Sequence, residues 1–319
     1  MKTNSIIAIA LSLLLAGCSQ DNEDEQKNTT NEQWVSPPEE LAAADATTCR
    51  AAFLDYMNRK AWLMGMHQTR FADASGYVAD GSAITPHDAI LLAMKAQSCA
   101  AIAGVWGKKQ HAMHVGGPQA RIDTIASLSK AVFTERYKLL GCKTGTLGGQ
   151  AGVILLCQGT KGDLYAASIL GSVHEQRWRD ARRLIDMAER RATAFNVPAA
   201  DGDLRAQGAA VCRMPMVYVP WMRRILPAWL YQRNVERPLL PASVTKTMTA
   251  ICMLDFVDNL DETFTIEESD LMPGSGPRFK AGDVLSYREA LYAMFLPSSN
   301  TAAVAVAHAV GRKIILSSH

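Results

Sequence analysis

The spacing of apolar positions predicts helices and strands over most of the chain beyond residue 48. Apolar residues recur every three or four positions in 50–63, 176–191 and 244–258, as in helices that bury one face. Between Tyr137 and Leu170, three apolar runs are separated by turns that contain glycine, which predicts three strands. Antiparallel strands followed by a covering helix favour an α+β fold, with an antiparallel sheet flanked by helices.

Two helix starts carry capping residues. Thr85 fits the N-cap before Pro86, and Ser286 fits the N-cap with Glu289 three residues later. An alanine-rich helix is predicted from Asn300 to about position 310, because the sequence from Gly311 onward does not continue its pattern.

The N-terminal stretch has a different character. An apolar run from Ile6 to Leu15 is too short for a transmembrane helix. Leu15-Ala-Gly-Cys18 resembles the lipobox of bacterial lipoproteins, so residues 1–18 are interpreted as a lipoprotein signal peptide, with an ordinary cleaved signal as the alternative. The resemblance implies a lipid on Cys18 that anchors the chain to a membrane, in the periplasm or at the cell surface. Residues 19–48 are polar and acidic, which predicts a disordered linker.

Charge and cysteine content narrow the function classes. The formal net charge of +2 gives no argument for nucleic-acid binding, and the 48% hydrophobic content is enough for a full-sized core. Beyond Cys18 there are six cysteines without CxxC spacing. Cys142 and Cys157 fall on consecutive predicted strands and would form a disulfide if they face each other, with buried thiols as the alternative.

The candidate chemistry begins at Ser243, which stands three residues before Lys246 in a predicted helix start. Positions i and i+3 share a helix face, so the two side chains can meet. A serine hydroxyl is a poor nucleophile unless a base takes its proton, and a lysine with a lowered pKa is such a base. A capped helix with a surface lysine is the alternative. The same spacing recurs at Ser127 and Lys130, without the Pro-Ala approach and the Thr-Met-Thr exit that flank Ser243.

Two partner motifs strengthen the catalytic interpretation. Ser298-Ser-Asn300 fits S-x-N, and Lys143-Thr144-Gly145-Thr146 fits K-T-G, which with S-x-x-K form the signature of penicillin-binding proteins and class A β-lactamases. Flanking segments resemble serine-type D-alanyl-D-alanine carboxypeptidases, the low-molecular-mass penicillin-binding proteins. These segments are 57–61, 65–71, 230–243 and 291–303. The resemblance extends from about residue 50 to 312 and implies the β-lactamase/D,D-peptidase-like transpeptidase fold.

The resemblance implies a role for each motif residue. Ser243 would attack the terminal D-Ala-D-Ala bond of a peptidoglycan stem peptide, and Lys246 would accept its proton. Ser298 would relay a proton to the leaving D-alanine, and Asn300 would hold the substrate amide and orient Lys246.

The K-T-G segment would bind substrate. Lys143 would keep the site electropositive, Thr144 would bind the terminal carboxylate, and Gly145 and Thr146 complete the segment. The backbone N–H groups of Ser243 and Thr146 would form an oxyanion hole. No metal or organic cofactor is implied, and β-lactams would act as inhibitors by trapping the acyl-enzyme.

The motifs stand in an unusual order. The family runs from S-x-x-K to S-x-N and then to K-T-G, whereas here K-T-G comes first. This order predicts a circular permutant in which 49–195 resembles the family's second half and 209–319 its first half, with 196–208 as the joint. The motifs should then converge on one cleft, and the stretches near Ala51 and Gly311 should be neighbours. Pro215 and Pro220, within the segment 209–229, put the first strand pair in doubt.

The sequence is also compatible with three other functions. They are a β-lactamase or esterase of the same fold, a non-catalytic cell-wall binding protein, and an inactive rearranged gene product. Class A β-lactamases have a Glu-x-x-x-Asn stretch that is missing here.

Two further groups of polar residues are weaker candidates. Tyr56-Met-Asn58 fits the Y-x-N of some relatives, but its setting favours a core-facing helix. His111 and His114, with Cys99 nearby, are conceivable metal ligands, but no fourth ligand stands at standard spacing, which favours exposed loop histidines.

Overall fold

The computed structural model describes residues 44–128, 136–193, 204–219 and 224–317. The helices and strands in chain order are α1 Ala46–Leu63, α2 Pro86–Ser98, α3 Ala100–Ala103, β1 Gln110–Val115, β2 Arg121–Ala126, β3 Lys138–Leu147, β4 Gln150–Gln158, β5 Leu164–Ser172, α4 Gln176–Thr193, β6 Gly208–Val219, β7 Arg224–Arg233, α5 Thr245–Leu254, β8 Thr263–Thr265, β9 Val284–Ser286, α6 Tyr287–Phe295 and α7 Asn300–Ser317. The fold is α+β, with antiparallel sheets flanked by helices, as predicted.

The central sheet has five antiparallel strands in the order β3-β4-β5-β6-β7. Gly148 and Gly149 turn β3 into β4, and both have positive φ angles of 56° and 80°, which glycine adopts at little cost. Strand β4 is buried along almost its whole length because helices cover both faces of the sheet. One face packs against the apolar side of α4, through residues that include Trp178 and Leu184, and the other against the helical core that includes α2 and α5.

Strand β6 joins the two parts of the chain into this sheet. It pairs with β5 from Leu164–Met214 to Leu170–Gly208 and with β7 on its other side. The strand pair that the prolines put in doubt is therefore present. The register of β6 against β7 shifts between Arg213 and Val217, and Pro215 lies within this irregularity, where a strand tolerates a missing N–H.

Helices α1 and α7 lie against each other in close backbone contact. A Cβ added to Gly311 would lie 1.9 Å from the carbonyl oxygen of Cys49, so a glycine is needed at this crossing. Helix α7 continues to Ser317, and the prediction that it ends near 310 is wrong. The stretches near Ala51 and Gly311 are thus neighbours.

The segment between α3 and β3 contains the β1–β2 hairpin, and Gly116, directly after β1, forms a bridge with Val284 of β9. His111 lies on β1, so its placement in an exposed loop is wrong. Its Nε2 lies 2.8 Å from Glu289 Oε2, and its ring stacks on Tyr292. Within the described ranges, no group of histidine, cysteine, aspartate or glutamate residues has the arrangement of a metal site.

The six cysteines of the described chain are buried and form no disulfide. Cys142 is paired with Leu155 and Cys157 with Leu139, so the two thiols do not face each other across the strands. Burial raises the pKa of the Cys157 thiol to about 12, which keeps it protonated and unreactive at neutral pH.

Several predicted features lie outside the described residues. These are Cys18 and its signal segment, the linker up to residue 43, Lys130 and positions 196–203 of the joint. In the part of the chain that the structure describes, no helix has the length and apolarity to span a membrane.

Candidate active site

The candidate nucleophile lies in a strained turn. Ser243 is in the 3₁₀ turn Ala242–Val244 that leads into α5, and Ala242 has a positive φ of 46°, which is costly for a residue with a side chain. The backbone of Gly76 packs directly on this turn, because a Cβ at Gly76 would lie 1.9 Å from the Ala242 carbonyl oxygen. Contact from this separate loop holds the serine in position.

Lys246 is fully buried and directed at this serine. Its Nζ lies 2.8 Å from Ser243 Oγ, 2.7 Å from Asn300 Oδ1 and 2.7 Å from the carbonyl oxygen of Ser75. Burial, and then the charge of Lys143, lower the pKa of Lys246 well below its usual value, against a smaller opposing effect of Asp73. A neutral amine has two N–H groups and one lone pair. The carbonyl and the amide oxygen accept the two N–H groups, so the lone pair faces the serine hydroxyl.

A second buried lysine contacts the S-x-N segment. Lys143 Nζ donates to Ser298 Oγ at 2.8 Å and to the Thr144 carbonyl oxygen at 2.8 Å. Burial lowers the pKa of Lys143 to about 7, so this lysine also exchanges protons near neutral pH. Ser298 has a positive φ of 64°, a second strained position beside the candidate nucleophile.

Asn300 has its orientation fixed by two partners. Its Nδ2 donates to the Pro273 carbonyl oxygen at 2.7 Å, so its Oδ1 points toward Lys246. Gly274, with a φ of 119°, approaches this amide so closely that a Cβ there would lie 2.5 Å from Asn300 Nδ2. The loop before β9 thus supports the amide from behind.

The K-T-G strand forms one wall beside the nucleophile. A Cβ at Gly145 would lie 2.6 Å from the Pro241 carbonyl oxygen and 3.3 Å from the Ser243 backbone nitrogen. The edge of β3 therefore reaches the nucleophile turn, which only a glycine permits. A cleft of about 280 Å³ opens there, lined by Leu128, Thr144, Thr146, His174, Arg177, Ser243, Ser275 and Ser298.

Comparison with known families gives one match. The family model described as D-alanyl-D-alanine carboxypeptidase matches residues 227–313, less than half of the chain. This match supports a relationship of the matched segment to that family. The matched segment contains Ser243, Lys246, Ser298 and Asn300 but not the K-T-G strand. No curated protein and no solved structure matches the chain.

Arg177 is a cleft residue that the sequence motifs did not identify. It lies at the start of α4, is 3% exposed, and its Nη1 donates to the Gly145 carbonyl oxygen at 2.9 Å and to Thr146 Oγ1 at 2.8 Å. A signal was present in the sequence, because Arg177 occupies the same helix face as the apolar positions 181, 184 and 188. A buried arginine beside two threonines is suited to bind a carboxylate.

The loop that carries Ser75 is also part of the site. Asp73 accepts hydrogen bonds from Ser75 Oγ at 2.6 Å and from the Gly76 backbone N–H at 2.7 Å. These contacts fix the loop whose Ser75 carbonyl holds Lys246. No sequence motif predicts this, since the group that contacts the lysine is a backbone carbonyl.

The weaker candidates have structural roles or remain untested. Asn58 accepts from the Phe71 backbone N–H at 2.9 Å and donates to the Phe71 carbonyl oxygen at 3.0 Å, while Tyr56 donates to Asp255. These groups tie α1 to neighbouring segments, away from the cleft residues. Lys130 lies outside the described residues, so the pairing of Ser127 with Lys130 stays a prediction.

Proposed function

We propose that this protein is a serine-type D-alanyl-D-alanine carboxypeptidase that acts on peptidoglycan stem peptides. The observation that carries the proposal is the position of Lys246, which is buried, has two fixed acceptors, and lies 2.8 Å from Ser243 Oγ. This arrangement suits a lysine base for a serine nucleophile. The match to the carboxypeptidase family supplies the reaction class, that of a peptidase.

In the proposed reaction, Ser243 Oγ attacks the carbonyl carbon of the terminal D-Ala-D-Ala bond while its proton passes to Lys246. The backbone N–H groups of Ser243 and Thr146 stabilise the oxyanion. The C–N bond then breaks, and the leaving D-alanine takes the proton from Lys246 through Ser298. A water molecule hydrolyses the ester, which releases the shortened peptide and restores the serine.

A carboxypeptidase must recognise a free terminal carboxylate. In the proposal Thr144, Thr146 and Arg177 bind it. Lys143, whose pKa of about 7 leaves it partly protonated at neutral pH, adds positive charge beside them. The geometry supports this assignment because the Arg177 guanidinium is bonded to the same strand that contacts the nucleophile turn. Lys143 also contacts the candidate proton relay directly, through its hydrogen bond to Ser298 Oγ.

Assays of purified protein with two substrates test the proposal. We expect steady release of D-alanine from diacetyl-L-lysyl-D-alanyl-D-alanine and only about one turnover of a chromogenic cephalosporin per protein, because a long-lived acyl-enzyme blocks the site. Continued cephalosporin hydrolysis without D-alanine release would instead indicate a β-lactamase or esterase. Peptidoglycan binding without acylation would indicate a non-catalytic binding protein.

We also propose that residues 49–195 and 209–319 are the second and first halves of one D,D-peptidase domain, joined through 196–208. Two contacts support this permuted arrangement: the pairing of β5 with β6, and the crossing of α1 and α7 at Gly311. An inactive rearranged gene product is the alternative. The fit of Gly145 against the Ser243 turn argues against it.

We propose that Cys18 is lipidated and anchors the domain at the outer side of a membrane. Leu15-Ala-Gly-Cys18 after a short apolar run supports this location. Mass spectrometry of the mature protein should find an N-terminal cysteine with acyl groups, and Cys18→Ala should release the protein from the membrane fraction. A mature N-terminus beyond residue 18 would refute the anchor.

A further inference from the structure

A second and larger cavity adjoins the cleft. It has a volume of about 530 Å³, within the size range of ligand sites, and it shares Leu128 and Ser275 with the nucleophile cleft. Its remaining lining comes from strand β2, from the loop 276–278 and from Pro297. None of Thr144, Thr146 and Arg177 lines it. The cavity therefore extends from the nucleophile cleft away from the residues proposed to bind the terminal carboxylate.

The wall formed by β2 is the edge of the strand. Positions 123–126 all line the cavity, and since successive side chains point to opposite faces, such a run places the cavity along the edge. Among the described strands, β2 pairs only with β1. Its other edge thus presents backbone N–H and C=O groups to the cavity, the arrangement that accepts an extended peptide as an added strand.

Among the charged side chains that line the cavity, Arg278 is available to an anionic group. Arg121 is neutralised, because it donates to both carboxylate oxygens of Asp283 at 3.0 and 2.9 Å and to Asp123 at 3.0 Å. Arg278 lies on the loop that lines the cavity, is exposed, and has no ion pair with any residue that the structure describes. An exposed guanidinium beside an open strand edge is suited to a peptide that carries a carboxylate.

We propose that this cavity binds the part of the stem peptide that precedes the reacting D-Ala-D-Ala, in an extended conformation along the open edge of β2, with Arg278 bound to a carboxylate in that part. The inference rests on the proposed function for the direction of the peptide, whose C-terminal end lies toward Arg177. It adds a site for the distal residues and a charge preference that a dipeptide substrate does not test.

The test uses the full chain with Ser243→Ala, so that binding is measured without turnover. The probe is fluorescently labelled L-alanyl-γ-D-glutamyl-L-lysyl-D-alanyl-D-alanine, compared with the peptide in which the glutamyl carboxylate is an amide. Adding Arg278→Gln should weaken binding of the acidic peptide about five- to tenfold, a usual effect for one exposed charge-assisted contact. Binding of the amide peptide should be unchanged by this substitution. Lys280→Gln is the matched control, since Lys280 is exposed two residues away and does not line the cavity.

Equal binding of the acidic peptide by the Arg278→Gln and Lys280→Gln proteins would overturn the inference. Equal affinity of the Ser243→Ala protein for the acidic and amide peptides would also overturn it. The protein with Ser243 intact should be acylated by penicillin. Absence of acylation in the parent would reject the proposed function, while charge-dependent peptide binding would still support the site.

Discussion

A Ser243→Ala variant is expected to take up no covalent label from fluorescent penicillin. In the proposed reaction the acyl group forms on the Ser243 oxygen that Lys246 deprotonates, and alanine has no such oxygen. Losses of about 10³-fold or more follow when a serine nucleophile is removed, so labelling should fall below detection. Gel fluorescence and the intact mass of the protein measure the effect, with a mass increase of one penicillin for the parent.

Ser127→Ala is the matched control for this experiment, because Ser127 also begins an S-x-x-K sequence. The Ser127 backbone N–H donates to the Lys109 carbonyl oxygen at 2.8 Å, a bond that an alanine keeps. This variant should be labelled at the parent rate. Label that persists on Ser243→Ala, or disappears with Ser127→Ala, would reassign the nucleophile.

The sequence predicted the local contacts of the candidate site but not the contacts between distant segments. The Ser243–Lys246 pair follows from helix periodicity, since both residues belong to one local element. The 2.8 Å contact between Lys143 and Ser298 joins residues 155 positions apart, and no local pattern encodes it. Only the resemblance to a known family suggested that these motifs meet. Their catalytic roles remain predictions.

The groups that no motif predicted are of two kinds. The Ser75 carbonyl is a backbone group, which any residue could supply, so the sequence does not indicate its contact with Lys246. The position of Arg177 on an apolar helix face is a sequence signal. The same helix contains several other arginines, so this signal did not single out Arg177. A buried arginine is identified by what surrounds it, and those neighbours come from β3.

The helix boundaries show the same division between local and distant causes. Thr85 and Ser286 accept hydrogen bonds from the backbone three residues later, as their sequence contexts predict. The predicted end of α7 near position 310 is wrong, because it rested on the break in the alanine-rich pattern at Gly311. The reason for this glycine lies in α1, whose backbone touches it, and that contact joins residues far apart in the chain.

Gly311→Ala is therefore expected to destabilise the protein, opposite to the usual effect of this change in a helix. Alanine in a helix interior is favoured over glycine by about 1 kcal/mol. Here the new Cβ would lie 1.9 Å from the Cys49 carbonyl oxygen, so α1 and α7 must separate. Overpacking of a buried contact costs about 1–3 kcal/mol, and a clash with the backbone lies at the upper end of that range. After subtraction of the helix-propensity gain of about 1 kcal/mol, the free energy of unfolding should fall by about 1–2 kcal/mol. Urea unfolding followed by circular dichroism measures it.

The same displacement should reach the candidate site. Helix α7 begins at Asn300, whose amide oxygen lies 2.7 Å from Lys246 Nζ, so a shift of the helix disturbs the position of the proposed base. We expect penicillin acylation of the folded Gly311→Ala protein to slow by about tenfold, since small misplacements of catalytic groups are costly. Lys313→Ala is the control on the same helix. It loses an exposed ion pair with Glu262, worth about 1 kcal/mol or less, and should acylate normally. A Gly311→Ala protein more stable than the parent would show that α1 and α7 do not cross in contact, and would remove one of the two contacts that support a closed, permuted domain.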